Sequence, residues 1–371
     1  MAFRSRLFVG VCVGAVLTLL SGIAAKADDA YTTQAKAYIA KVTQPGSSWT
    51  GPTTGPAAQP DKTVIFVDYD ERNSGGRSVG QFAGEAAKVI GWKYRVLDGQ
   101  GTIQGQTAAL TQAIALKPDG IILGSVDAIG MNSLIQQAID HGIKVVSWHS
   151  GMTPGKIKGS NIFVNVTTDP VVVGKAAGLY AVADSNGTAG AILFTDSAYA
   201  ITIAKTNAEQ AAIKGCSGCK VLAVEDTPLG EVHDRMPQLT TALLTRYGAR
   251  WTYSVAINDL YYDFMAPTLQ AAGLAGDGSP KNISAGDGSA SAFQRIDTKQ
   301  YQVATVAEPV REQAFQLVDE LNRAFADQPP SGYINPVHLF VPSNVNDDRG
   351  AGGIYDPHNG YETAYRKIWG K

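Results

Sequence analysis

The sequence predicts an α/β protein built as two doubly wound lobes, and three observations carry that expectation. Short apolar runs recur along most of the chain, each followed by a polar loop and a longer amphipathic segment. That array is interrupted once and then resumes, which makes two sheets rather than one. At 371 residues a single hydrophobic core would also be overextended.

The elements follow in order. Residues 28 to about 42 read as a short helix. Thr43 to Pro60, rich in Pro, Gly, Ser and Thr, reads as an extended linker with Trp49 as its one large apolar anchor. The first array starts with the strand Thr63 to Val67 and a helix that ends at Gly91. The strand Lys93 to Leu97 precedes a helix from Gln104 to Leu116. The turn Lys117-Pro-Asp-Gly120 leads into Ile121 to Leu123, then a helix from Gly130 to His141, stopped by Gly142 before the strand Lys144 to Ser147. The second array has strands at Ala191 to Phe194, Val221 to Val224, Trp251 to Ala256 and Ile283 to Ala285. Continuous apolar strands alternating with amphipathic helices give parallel sheets covered on both faces.

The N-terminus carries an export pattern. Arg4 and Arg6 precede the apolar run Leu7 to Leu20, and Ala25-Lys26-Ala27 supplies a small-x-small cleavage site, so residues 1–27 are expected to be a signal peptide cut after Ala27. The apolar run is shorter than the roughly 20 residues of a membrane-spanning helix. Cys12 lies within it rather than at its end, which argues against a lipoprotein site. Loss of Arg4, Arg6 and Lys26 takes the net charge from -2 to -5. No basic patch suited to nucleic acid or an anionic membrane remains.

Cys216-Ser-Gly-Cys219 closes a helix rather than opening one, so no helix dipole is there to activate a thiol. In an oxidising compartment the pair reads as a small structural disulfide. No second pair of ligands stands at a zinc spacing, and no metal or cofactor is expected.

In doubly wound sheets, ligands meet the loops at the carboxyl ends of the strands, and two facing lobes bring those loops to one cleft. The strand ends here are polar: Asp68, Asp70, Arg72 and Asn73, then Asp127, then Trp148 and His149. In the second array they are Asp196 with Tyr199, Asn258 with Asp259, Asp287 and Glu308. Carboxylates and amides hydrogen-bond neighbouring hydroxyls, while rings cover the apolar face of a sugar. The expected ligand-binding residues are Asn73, Asp127, Trp148, His149, Tyr199, Asn258, Asp287 and Glu308. Asp and Asn after strands also serve as helix caps and turn formers, so the repetition at one end of both arrays carries the weight.

Catalysis is not expected. No nucleophile elbow is read from the sequence, the five histidines show no H-E-x-x-H spacing, and Gly99-Gln-Gly101 has no third glycine three residues on. A phosphate-binding P-loop is also absent.

From Lys62 to Asn344 the sequence resembles the type I periplasmic binding proteins of sugar ABC transporters, the ribose- and galactose-binding group. The resemblance rests on Thr63 to Val67 with Asn73, on Lys117-Pro-Asp-Gly-Ile-Ile-Leu-Gly-Ser-Val-Asp127 and on Gly142 to Val146. It continues in Asp169 with Gly174 and Ala177-Gly178, in Ala256 to Asp259, in Ala285-Gly-Asp287 and in Val303 to Glu308. It implies two Rossmann-like lobes joined by a three-segment hinge with crossovers near Trp148, Glu308 and Val337. The implied lobes are 61–148 plus 309–336 and 149–308 plus 337–371, after an N-terminal extension over 28–60. It also implies a monomeric periplasmic solute-binding protein that captures a small hydroxylated ligand, a sugar or polyol, for the permease of an ABC importer. A sensory receptor serving chemotaxis or a sensor kinase, or a binder of a non-sugar polar metabolite, shares the same pattern. Three departures stand out: Ser74, Gly75 and Gly76 follow Asn73 where sugar binders often carry aromatics, His149 stands where Asp is common, and Lys205 lies where Arg is common.

Overall fold

The structure, a computed structural model, describes residues 30–46 and 48–371, so the expected signal peptide and its cleavage site lie outside the described residues. The first sheet holds β1 (Thr63–Asp68), β2 (Lys93–Asp98), β3 (Gly120–Gly124), β4 (Lys144–Trp148) and β5 (Asn165–Val166), all parallel, in the order β2-β1-β3-β4-β5. The second holds β6 (Gly190–Thr195), β7 (Lys220–Asp226), β8 (Tyr253–Ala256), β9 (Lys281–Ser284), β10 (Ala304–Ala307) and β11 (His338–Phe340). Its order is β11-β10-β9-β8-β6-β7, and only β11 runs antiparallel to its neighbour.

Alternation along each strand explains the apolar runs. In β1, Val64 and Phe66 enter one core while Ile65 and Val67 enter the core on the opposite face. The first core is covered by α2 (Ser74–Ile90) and α10 (Val310–Phe325), the second by α3 (Ile103–Ala115) and α4 (Asn132–Asp140). The second lobe repeats the scheme. Ala191 and Leu193 of β6 pack towards α5 (Pro170–Asp184) and α6 (Ala200–Lys214), and Ile192 and Phe194 pack towards α7 (Val232–Tyr247) and α8 (Leu260–Ala271). A strand fed to two cores must be apolar throughout, which is why these segments read as unbroken runs.

One packing detail positions the site. On α5, a Cβ at Gly174 or Gly178 would run into the backbone of Lys205 or Glu209, so these glycines let α6 lie close against α5.

The lobe boundaries differ from those implied by the sequence. The chain does not leave the first lobe at Trp148, because β5 adds to the edge of the first sheet, with the Ser147 N–H bonded to Val164 O and the His149 N–H to Val166 O. The C-terminal tail also returns to the first lobe. There α11 (Tyr361–Trp369) buries Tyr361, Tyr365 and Trp369 against Phe315 of α10. The chain thus passes between the lobes at 167–169, 308–309 and 326–337, and again at 341–360 and 43–62.

The last of these passages is a strap. The helix α1, over 30–42, packs Ala35 and Val42 into the second lobe, and the Tyr31 hydroxyl donates to Ala212 O at 2.7 Å. Beyond it, Trp49 packs on Tyr333 and Tyr365, and Arg323 and Asn322 of α10 hold the carbonyls of Thr54 and Pro56. Cys216 and Cys219 form a disulfide in the turn between α6 and β7.

Candidate functional site

The carboxyl ends of both sheets face one cleft. A cavity lies there, lined by Tyr69, Asn73, Ser125 and His149 from the first lobe. From the second lobe come Ile201, Thr202, Lys205 and Leu229, together with Tyr199, Ile257, Asn258 and Asp287.

Each wall is fixed by its own backbone. Asn73 caps α2, its Oδ1 accepting from the Gly75 N–H at 2.9 Å, and its Nδ2 donates to the Tyr69 hydroxyl at 3.3 Å. Ser125 and His149, directly after β3 and β4, adopt φ of 56° and 55°, left-handed turns that swing both side chains into the cleft. On the second lobe, Asp196 accepts from the N–H groups of Ala198 and Leu229, tying together the loops that carry Tyr199 and Leu229. The buried carboxylate of Asp259 accepts from the N–H groups of Gly288 and Ser289 and from the Gln302 and Thr305 side chains. That brace holds the loop bearing Asp287, whose Oδ2 accepts from Asn258 Nδ2 at 2.9 Å.

The lobes touch across the cleft. The Tyr69 and Tyr199 rings meet edge to face at 5.7 Å, and Gln106 of α3 donates to the Tyr199 hydroxyl at 3.3 Å. Asp287 reaches the first turn of α2 so closely that a Cβ on Gly75 would run into its carboxylate. This accounts for the Ser-Gly-Gly after Asn73: the space an aromatic would fill belongs to a carboxylate from the other lobe.

Beneath the cavity lies a buried polar network. His149 places Nδ1 4.0 Å from Asp287 Oδ1 and Nε2 3.4 Å from Glu308 Oε1. Glu308 also accepts from the Thr168 N–H and from Gln313 Nε2 at 2.6 Å, and Gln313 Oε1 accepts from the Trp148 indole at 2.7 Å. Burial opposes ionisation of Glu308, but the adjacent His149, the charge of Lys205 and the Thr168 side chain together pull its pKa down to about 2. Thr168 and Glu308 are themselves crossover residues, so the floor of the cleft and the hinge share side chains.

Five of the eight expected residues, Asn73, His149, Tyr199, Asn258 and Asp287, line the cavity. Three do not. Trp148 is the last residue of β4 and points into the first-lobe core, where its indole stacks on the His149 imidazole at 3.6 Å. Glu308 sits behind His149, at the network described above. The Asp127 Oδ2 accepts from the Gly130 N–H at 2.8 Å and shapes the turn into α4. The sequence marks Lys205 only as standing where Arg is common, and Tyr69, Ser125, Ile201, Thr202, Leu229 and Ile257 are outside the expected set. Tyr69, Ser125 and Ile257 are each the first residue after a strand, so the strand-end rule could have found them.

One expectation needs correction on the sequence itself. Gly76-Arg-Ser-Val-Gly80 does spell G-x-S-x-G. Ser78, however, lies inside α2 rather than on a sharp strand-to-helix turn, so it is no nucleophile elbow. Among the described residues no group of three or more His, Cys, Asp and Glu side chains could hold a metal ion.

Residues 65–328 match the periplasmic binding protein domain. No curated protein matches the sequence. Solved structures similar in fold include a glucose-galactose binding protein from Geobacillus stearothermophilus, 19% identical with a TM-score of 0.68, covering 77% of this chain and 99% of that one. An ABC transporter solute-binding protein from Agrobacterium vitis bound with α-D-tagatopyranose is 18% identical with a TM-score of 0.69, covering 79% and 99%. Another, from Mycobacterium smegmatis with bound glycerol, is 17% identical with a TM-score of 0.68, covering 80% and 99%. The family match spans most of the chain, and the protein belongs to the periplasmic binding protein domain family, in agreement with the resemblance read from its sequence.

Proposed function

We propose that this protein captures a small hydroxylated ligand, a sugar, polyol or related compound, between its lobes and presents it to the permease of an ABC importer. The observation that carries the reading is one cavity lined by strand-end residues of both lobes, so that only the closed arrangement surrounds a ligand. Tyr69, Tyr199, Ile201 and Leu229 suit the apolar faces of such a molecule, and Asn73, Ser125, His149, Asn258 and Asp287 suit its hydroxyls. The sugar and polyol ligands of the structures similar in fold support the same class.

The protein works without turnover, as a monomer in the periplasm, after removal of residues 1–27. It takes no metal or cofactor. Thermal unfolding against a panel of sugars, polyols and their oxidised derivatives tests the reading. A true ligand at a hundred times Kd should add about 2.7 kcal/mol of stability. Native mass spectrometry of the purified protein should show a one-to-one complex with a small polar molecule. Turnover of any panel compound, or no shift from any of them together with no retained ligand, would reject it.

A further inference from the structure

Lys205 carries the one formal positive charge on the cavity lining that lacks a paired carboxylate. It is only 3% exposed and sits on α6 beside Ile201 and Thr202. Among the described residues its ammonium makes no hydrogen bond and no ion pair, although its charge acts on Glu209 and Glu308 from a longer range. Neither is a ready partner. Glu209, one turn along the same helix, is fully buried, and burial raises its pKa to about 8 despite Lys205, leaving it protonated at neutral pH. Glu308 is engaged by Thr168, Gln313 and His149. Asp287, the remaining carboxylate on the lining, is met by Asn258 and faces the first turn of α2.

Two further hydroxyls on the lining have a proton free to donate. The Tyr69 hydroxyl accepts from Asn73 and the Tyr199 hydroxyl accepts from Gln106, which leaves each O–H proton for an occupant. Burial raises the pKa of both phenols, so they stay protonated. A buried ammonium is costly unless an anion meets it. A single ammonium matches a single negative charge, which favours a carboxylate over a dianionic phosphate.

We infer that the ligand is a hydroxylated monocarboxylate, of the sugar-acid class, whose carboxylate sits on Lys205 within reach of the two tyrosine hydroxyls. This rests on the proposed capture function and specifies its ligand. Ile201, Leu229 and Ile257 then cover the carbon chain, and Asn73, Ser125 and Asp287 take its hydroxyls.

Titration calorimetry with matched pairs tests it: D-gluconate against D-glucitol, D-galactonate against galactitol, D-glycerate against glycerol. For at least one pair the acid should bind about 10- to 100-fold more tightly, the size of one charge-assisted contact. Lys205→Met should abolish that preference, and Lys205→Arg, which keeps the charge, should retain most of it. Equal or tighter binding of the neutral partner overturns the inference and leaves the capture function standing. An acid preference that survives Lys205→Met overturns the role given to Lys205. If Lys205→Met fails to fold, the wild-type ratios still decide the ligand class. Binding of none of the pairs, with no acid retained through purification, overturns the inference. Absence of every sugar and polyol as well removes the capture function.

Discussion

The two walls of the cleft are built differently. The first-lobe wall, Tyr69, Asn73, Ser125 and His149, is polar and set by backbone: a helix cap, two left-handed turns and a hydroxyl held by Asn73. The second-lobe wall combines three aliphatic side chains, Ile201, Leu229 and Ile257, with two opposite charges, Lys205 and Asp287. The contrast teaches a division of labour. The first lobe supplies a surface onto which the second can close, and the second lobe carries the groups that choose the ligand. Apart from Tyr69, whose hydroxyl reaches the ligand carboxylate, substitutions in the first wall should therefore weaken all ligands together, while those in the second should change their rank.

The largest effect is expected at the seam between the walls. Glu308→Gln leaves His149 without its buried partner and should lower stability by about 3 kcal/mol at neutral pH. The sign of the pH dependence follows from the carboxyl's position at about 2, below its ordinary 4.5. Its stabilisation is complete above pH 4.5 and is lost as pH falls towards 2, so the variant should flatten the acid limb of a urea-denaturation series. An unchanged limb would mean that the His149–Glu308 contact contributes nothing to folding.

Next comes Gly75→Val. The added side chain occupies the place of the Asp287 carboxylate, so it should weaken every ligand by about 100-fold, without re-ranking, through failed closure. Unfolding without ligand should move by no more than about 1 kcal/mol, since Gly75 lies in the first turn of a helix. A re-ordering of ligands in calorimetry would break the division between the walls.

Tyr199→Phe should act most weakly. It removes one hydroxyl at the rim while keeping the ring against Tyr69, and should cost about 1 kcal/mol in affinity, greatest for ligands with an acceptor in reach. A uniform loss across ligands would place Tyr199 with the first wall instead.

Much of this was legible in the sequence. Strands fed to two cores are apolar throughout, so β1, β3, β4 and β6 could be read directly, and with them the loops that form the cleft. What failed was side-chain direction. Trp148 and His149 are neighbours, but the strand sends the first into the core and a left-handed turn sends the second into the cleft. Glu308 ends a strand at a crossover, where the chain folds it under His149. Lys205 faces the cavity because Gly174 and Gly178 of α5 set how α6 packs, a rotation that helix periodicity alone does not specify. Trp49 was legible as the anchor of the strap, but its partner Tyr333 and the return of helix α11 depend on long-range contacts that no local pattern encodes.

The most direct test of a cleft closed by its ligand is small-angle X-ray scattering of the protein stripped of ligand and then saturated with the tightest binder found by calorimetry. The radius of gyration should fall on saturation, and in Gly75→Val it should not. An equal radius in the free and saturated wild-type protein would contradict capture by closure of the two walls.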